Sequence, residues 1–193
     1  INLIVPTIDT ELNILSAASD LFSQHNIKVL VCSNDTNHIF MDKRRSQHFF
    51  ENNNIPTPRL YSNEESIGLT DDKYPLLLKP ANGSCSIGVT KVYNKKELMF
   101  FLEYLNDPIV QEFIQGDEYT IDVLVDFYGR VQCAVPRLRI ETRAGEVSKA
   151  ITVNDKEIID WSYKVAGLMD GAMGCITLQC FKQNNGELKF IEI

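Results

Sequence analysis

The chain has 193 residues, of which 44% are hydrophobic and 23% charged, and its formal net charge is −7. That is enough apolar material for a packed core in one domain or two small ones. The acidic balance excludes the broad basic surface that binds a phosphate backbone by counterion release, so nucleic acid is not an expected partner.

No apolar run approaches the roughly 20 residues of a membrane span, and no segment has the order of a secretion signal. The reading is a soluble, cytoplasmic protein without a membrane partner. Cys32, Cys85, Cys133, Cys175 and Cys180 are odd in number and never form C-x-x-C, and His25, His38 and His48 stand apart from them in spacing. Neither a disulfide framework nor a zinc site is indicated. The chain begins inside the apolar run "INLIVP" and stops at "FIEI". Both ends read as cuts through secondary structure, so a piece of a longer protein is expected.

Residues 2–5 read as a short strand, "TELNILSAASDLF" as a helix with Leu12, Leu15, Ser19 and Phe22 on one face, and "IKVLVCS" (27–33) as a second strand. Strand, helix, strand suits part of a doubly wound α/β layer, assigned to residues 1–41. Asp42 opens a helix that the asparagine run ends, Pro56 and Pro58 force extended chain, and 62–74 are polar. Residues 42–74 are therefore expected to be a connecting helix and an irregular linker. A small lobe follows over 75–115: a strand (76–79), a loop, a strand (88–93), a helix capped by Asn94 and a strand (109–113). In the larger lobe, 116–193, "EYTIDVLVD" and "VQCAVPRLRI" pair around the turn "FYGR". A helix lies within 155–169, and a hairpin over 175–193 turns at "NNG".

Three stretches carry chemistry. In "LLLKPANGSCSIGVTKV" a strand delivers Lys79 beside a loop of glycines and hydroxyls. Gly83 and Gly88 have phosphate-loop spacing, but Val89 stands where a Walker motif needs lysine. A hairpin of this kind closes over a triphosphate, with Gly83 allowing close backbone approach, Ser84 and Ser86 donating hydrogen bonds and Lys79 meeting the charge. In "VQEFIQGDEYTID" a strand ending in Glu112, Phe113 and Ile114 suits an adenine hinge, and Glu118 suits the two ribose hydroxyls.

The third stretch is the terminal hairpin. If Asn185-Gly186 is a two-residue turn, partners sum to 371 and Gln179 lies opposite Glu192, with β-carbons about 5 Å apart. Two oxygen-bearing side chains inside apolar strands suit a hard cation such as magnesium. Each stretch also has an ordinary reading: a polar hairpin, a solvated strand, a buried acid paired with a base. Arg137, Arg139, Arg143 and Lys149 form a basic cluster, for which a solvated strand is the expectation at Arg137 and Arg139. Cys85 reads as a small loop residue.

Taken in order, "NNIPTP", "LLLKP-NGSCSIGV", "VQEFIQGDEYTIDV" and "TLQCFKQNNGELKFIEI" resemble the ATP-grasp superfamily along about the whole chain. The pattern is most similar to carbamoyl phosphate synthase large-subunit-like proteins. The resemblance implies an α/β (α+β) ATP-grasp fold of two lobes, preceded by part of a Rossmann-like layer, with ATP between the lobes and the small lobe as a lid. It implies Lys43 and Lys79 as phosphate cations and Gly83 to Gly88, including Ser84 and Ser86, as the mobile loop. Glu112, Phe113 and Ile114 would form the adenine segment and Glu118 the ribose acid. Gln179 and Glu192 would be ligands of Mg2+ or Mn2+, and Arg143 the catalytic arginine facing the transferred phosphate. The implied activity is a carbon-nitrogen ligase. ATP phosphorylates a carboxylate or bicarbonate, and an amine or ammonia attacks the acyl phosphate.

In the family the metal strand continues E-x-N-x-R, whereas this sequence ends one residue after Glu192, so the metal site is expected to be incomplete, with weak nucleotide binding or no turnover. A non-catalytic ATP-binding module is the alternative. A nicotinamide oxidoreductase is disfavoured, because no G-x-G-x-x-G follows either early strand. The acceptor acid, the amine and the oligomeric state are not readable.

Overall fold

The computed structural model describes residues 1–83, 87–143 and 145–193. At the N-terminus the short apolar runs make two short strands, β1 (Leu3–Ile4) and β2 (Lys28–Val29), paired in parallel. The helix expected between them is two, α1 (Asp9–Ala17) and α2 (Ser19–Gln24), broken at Ala18. Ser16 Oγ donates to the Asn13 carbonyl, the local side-chain bond that competes with a helix ladder. An unexpected α3 (Asn34–Phe40) follows, capped by the Ser33 side chain accepting from the Thr36 amide. Thr36 Oγ1 donates to the Asp170 carbonyl and the Ser33 amide to that of Gly171, which docks this layer onto the larger lobe.

Asp42 caps α4 (Lys43–Asn52) by accepting from the Arg44 and Arg45 amides. The proline-bearing segment after it is extended as expected and lies along the far hairpin. The Phe190 amide donates to the Pro56 carbonyl (2.7 Å), and Thr57 Oγ1 donates to that of Phe190 (2.9 Å). The region expected to be irregular is structured: β3 (Leu60–Tyr61), α5 (Asn63–Ile67) and a 3-10 turn (Asp71–Lys73). The reason is a capping box, in which Ser62 and Glu65 exchange side-chain and backbone bonds and hold a five-residue helix.

The small lobe continues with β4 (Leu76–Pro80), β5 (Thr90–Val92), α6 (Lys95–Tyr104) and β6 (Pro108–Glu112). Its sheet runs β3-β6-β4-β5, so β3 from the expected linker is its edge. Alternation buries Leu76, Leu78, Val92 and Val110 completely on one face, against Leu98 of α6. Each such side chain contributes about 1.5–3 kcal/mol.

The larger lobe comprises β7 (Asp117–Val125), β8 (Val131–Arg143), β9 (Glu146–Thr152), α7 (Lys156–Gly167), β10 (Gly174–Lys182) and β11 (Leu188–Glu192). The antiparallel sheet runs β11-β10-β7-β8-β9. Tyr119, Ile121, Val123, Leu178, Cys180 and Phe190 belong to the core cluster that includes Ile158, Val165 and Ala166 of α7. The intervening positions, Glu118, Thr120 and Asp122 on β7, therefore face the other way. Between the lobes the chain passes β10 so closely at Gly116 that a β-carbon there would overlap the Lys182 carbonyl oxygen and stand 2.8 Å from its carbon.

The terminal hairpin turns differently from the expectation. The Gln183 amide bonds the Glu187 carbonyl, so the loop is Asn184–Asn185–Gly186, three residues with Gly186 at φ 90°. Partners from Lys182↔Leu188 to Cys180↔Phe190 then sum to 370, and a bulge returns the pairing to Gln179↔Glu192. The two-residue turn is a wrong premise, and the bulge restores the pairing it was used to derive.

Candidate functional site

The polar face of the larger sheet and the open face of the small sheet meet at Lys79. Lys79 pairs with Ile109 on β6, so alternation places it on the face opposite the small-lobe core. Its side chain is only 4% exposed, and its Nζ lies 3.5 Å from Glu192 Oε1, which is 36% exposed. Burial pushes the Lys79 ammonium down, Glu192 opposes this, the nearby charge of Lys43 adds to it, and Glu118 opposes it. Lys43 comes from the first turn of α4. Its amide donates to the Ala81 carbonyl (2.9 Å) and its Nζ to the Gly83 carbonyl (2.6 Å), which seats a second cation on the loop. Ser84, Cys85 and Ser86 lie outside the described residues.

Across the larger sheet Glu192, Gln179, Thr120 and Arg137 stand in register on four adjacent strands. Glu118, one step nearer the hinge, pairs with Phe181. Desolvation raises the Glu118 carboxyl; Arg139 and Lys79 pull it back, and Glu192 pushes with the desolvation. The structure thus brings Lys43, Lys79, Gly83, Glu118, Gln179 and Glu192 to one cleft.

Glu112 and Arg143 stand apart from this group. Glu112 pairs with Leu76, on the core side of the sheet, and its carboxylate accepts from the Arg59 amide (3.1 Å). Phe113 carries Lys91 Nζ 3.6 Å above its ring, and Ile114 is buried at the crossing. Arg143, at the end of β8, is 78% exposed and bonds Glu141 through Nε (3.0 Å).

Two residues were missed. Gln111 shares the face of Lys79, is buried, and donates to Gln47 Oε1 (3.4 Å). Arg139, expected on a solvated strand, has a 6% exposed side chain that bonds Glu118. The register Tyr119↔Leu138 places 118 beside 139. Arg137 does stay partly exposed, paired with Asp122 (2.6 Å).

The donor set is consistent with a magnesium ion bound together with a nucleotide. Gln179 and Glu192 offer an amide and a carboxylate oxygen at facing positions, and no group of three acidic, histidine or cysteine side chains among the described residues forms an all-protein cage. Magnesium is commonly held this way, by one or two protein oxygens with phosphate and water completing six.

The chain is similar to several known proteins. The chain is 35% identical over 94 residues to the D-alanine-D-alanine ligase of Marinomonas sp. (strain MWYL1), covering 45% of this chain and 30% of that protein. It is 25% identical over 164 residues to that of Fusobacterium nucleatum subsp. nucleatum, covering 80% and 56%. The chain thus spans about a third to about half the length of these relatives. Among solved structures, a biotin carboxylase from Campylobacter jejuni in complex with β-γ-ATP superposes with a TM-score of 0.79 at 21% identity over 99% of this chain and 48% of that one. The D-alanine-D-alanine ligase of Coxiella burnetii gives 0.76 at 17% identity over 99% and 57%. These likenesses show the fold. Residues 40–193 match the ATP-grasp domain, and the chain therefore belongs to the ATP-grasp family.

Proposed function

We propose that the protein uses ATP and magnesium to activate a small carboxylic acid or bicarbonate as an acyl phosphate, which an amine or ammonia then attacks. The observation that carries this reading is the buried Lys79 ammonium beside Glu192, which faces Gln179. A cation and a two-oxygen metal platform at one point suit a triphosphate. Bound there, magnesium neutralises charge on the phosphate oxygens.

The chain's own residues then do the positioning. Lys43 and Lys79 hold the phosphates, the 112–114 segment lies along the adenine, and Glu118 accepts from the ribose hydroxyls. Phe113 and Ile114 carry the adenine contact, since Glu112 is committed to Arg59. An acceptor oxygen attacks the terminal phosphorus, the bond to ADP breaks, and the amine nitrogen displaces phosphate from the acyl carbon. Closure of the small lobe keeps water from the acyl phosphate. We assign Arg143 to the transferred phosphoryl.

The sequence relatives are named for D-alanine ligation, which favours an amino acid as the acid. The carbamoyl phosphate synthase-like form, with bicarbonate and ammonia, is the finer alternative. The test is phosphate release from ATP by the complete protein with amino acids, bicarbonate and ammonia. Stimulation by an acid together with an amine is expected, and no stimulation by any pair would contradict the reading.

A further inference from the structure

The Glu118–Arg139 pair is costly as a stabilising device. Its guanidinium is nearly buried, Nη1 bonds Glu118 Oε1, and Nη2 donates to the Gly145 carbonyl (2.6 Å). Its Nε is buried with no hydrogen-bond partner among the described residues. An unmet buried donor is destabilising, and an apolar pair of similar volume would often be at least as stable. The neighbouring Arg137–Asp122 pair, partly exposed on both sides, carries less of this cost. The buried fork also has a direction. One arm fixes one oxygen of Glu118, the other holds the hairpin next to Arg143, and the opposing residue on β9 is Ala150, which leaves the side chain room.

We propose that Arg139 is a positioning residue for the nucleotide sugar. It holds the Glu118 carboxylate so that the second oxygen faces the ribose hydroxyls, and it ties this acid to the β8–β9 hairpin. The site thereby discriminates ribonucleotides from nucleotides that lack those hydroxyls. This rests on the reading of Glu118 as the ribose acid. A planar guanidinium suits the task, because two fixed donors set both the carboxylate and the hairpin, whereas an ammonium would set only one.

Calorimetric titration of the complete protein with ATP and with 2′,3′-dideoxy-ATP, each with magnesium, tests it in the wild type, Arg139→Met and Arg139→Lys. The wild type is expected to prefer ATP by about 10-fold or more, the scale of a hydrogen bond to a charged group. In Arg139→Met that preference falls to about 2-fold through loss of ATP affinity, with dideoxy-ATP nearly unchanged, and Arg139→Lys keeps an intermediate preference. Equal weakening of both nucleotides would reveal a purely structural residue and overturn the proposal, as would an unchanged preference in Arg139→Met. Should Arg139→Met fail to fold, a wild-type preference in Arg139→Lys overturns it and a reduced one supports it. A wild type that binds neither nucleotide rejects the functional reading itself, and one that binds both equally rejects Glu118 as the ribose acid.

Discussion

Lys79 is an ammonium taken out of water with one carboxylate beside it, an arrangement that serves a ligand better than it serves stability. Lys79→Met is therefore expected to weaken ATP binding by about 10-fold or more while changing Tm by no more than a few degrees, because the methionine avoids the desolvation cost. Parallel calorimetry and thermal melts check both halves, and equal nucleotide affinity in the two proteins would remove Lys79 from the site. A second residue-scale outcome concerns thiols. Burial pushes Cys180 up to about 12, with Asp155 adding to it, whereas Cys133 and Cys175 are exposed. Brief alkylation of the native protein near pH 8, read by mass spectrometry, should label Cys133 and Cys175 and spare Cys180. Lys79, Glu118, Gln179 and Glu192 were legible because each interrupts or ends an apolar strand with a charge or an amide. Arg139 was not, because Arg137 two residues away has the same chemistry on the same face. Burial separates them: the Arg139 side chain is 6% exposed and that of Arg137 32%.

At the scale of elements, two joints hold the larger lobe in place. Asp155 caps α7 through the Glu157 and Ile158 amides and bonds Lys182 of β10 at 2.6 Å. Burial works to raise the Asp155 carboxyl, but Lys182 and the cap bonds outweigh it and hold the group below its usual range. A depressed carboxyl gives stability that is present above its unfolded value, near 4, and is lost as pH falls through the folded value. Asp155→Ala should cost about 1–2 kcal/mol at pH 7, the sum of a cap and a half-buried ion pair, and the gap should close in strongly acidic melts. The other joint is Gly116, where a methyl group meets the Lys182 backbone rather than a side chain that can turn aside. Gly116→Ala should destabilise by about 1–3 kcal/mol in denaturant melts. Two of the elements missing from the sequence reading depend on a serine cap. Ser33 and Ser62 built α3 and α5 in polar stretches that carry no apolar periodicity, and β9, polar on much of its length, was hidden by its charges.

At the scale of the molecule, the site exists only because three separate parts of the chain converge. The α4 cap brings Lys43 to the loop, the Pro56–Thr57 segment seats the small lobe along β11, and the bulge in the terminal hairpin sets Glu192 opposite Gln179. The β7–β8 and β10–β11 hairpins follow from patterning that the sequence displays. The distance between Lys79 and Glu192, 113 positions apart, depends on the packing of two sheets, which no local pattern encodes. No helix among the described residues is long and apolar enough to cross a membrane. The measurement that bears most directly on this convergence is a crystal structure of the protein with magnesium and a non-hydrolysable ATP analogue. The terminal phosphates should lie within hydrogen-bond reach of Lys79 Nζ, with the cation about 2.0–2.2 Å from oxygens of Gln179 and Glu192. An analogue bound elsewhere, or a cation held by other side chains while Lys79 keeps only Glu192, would contradict the account.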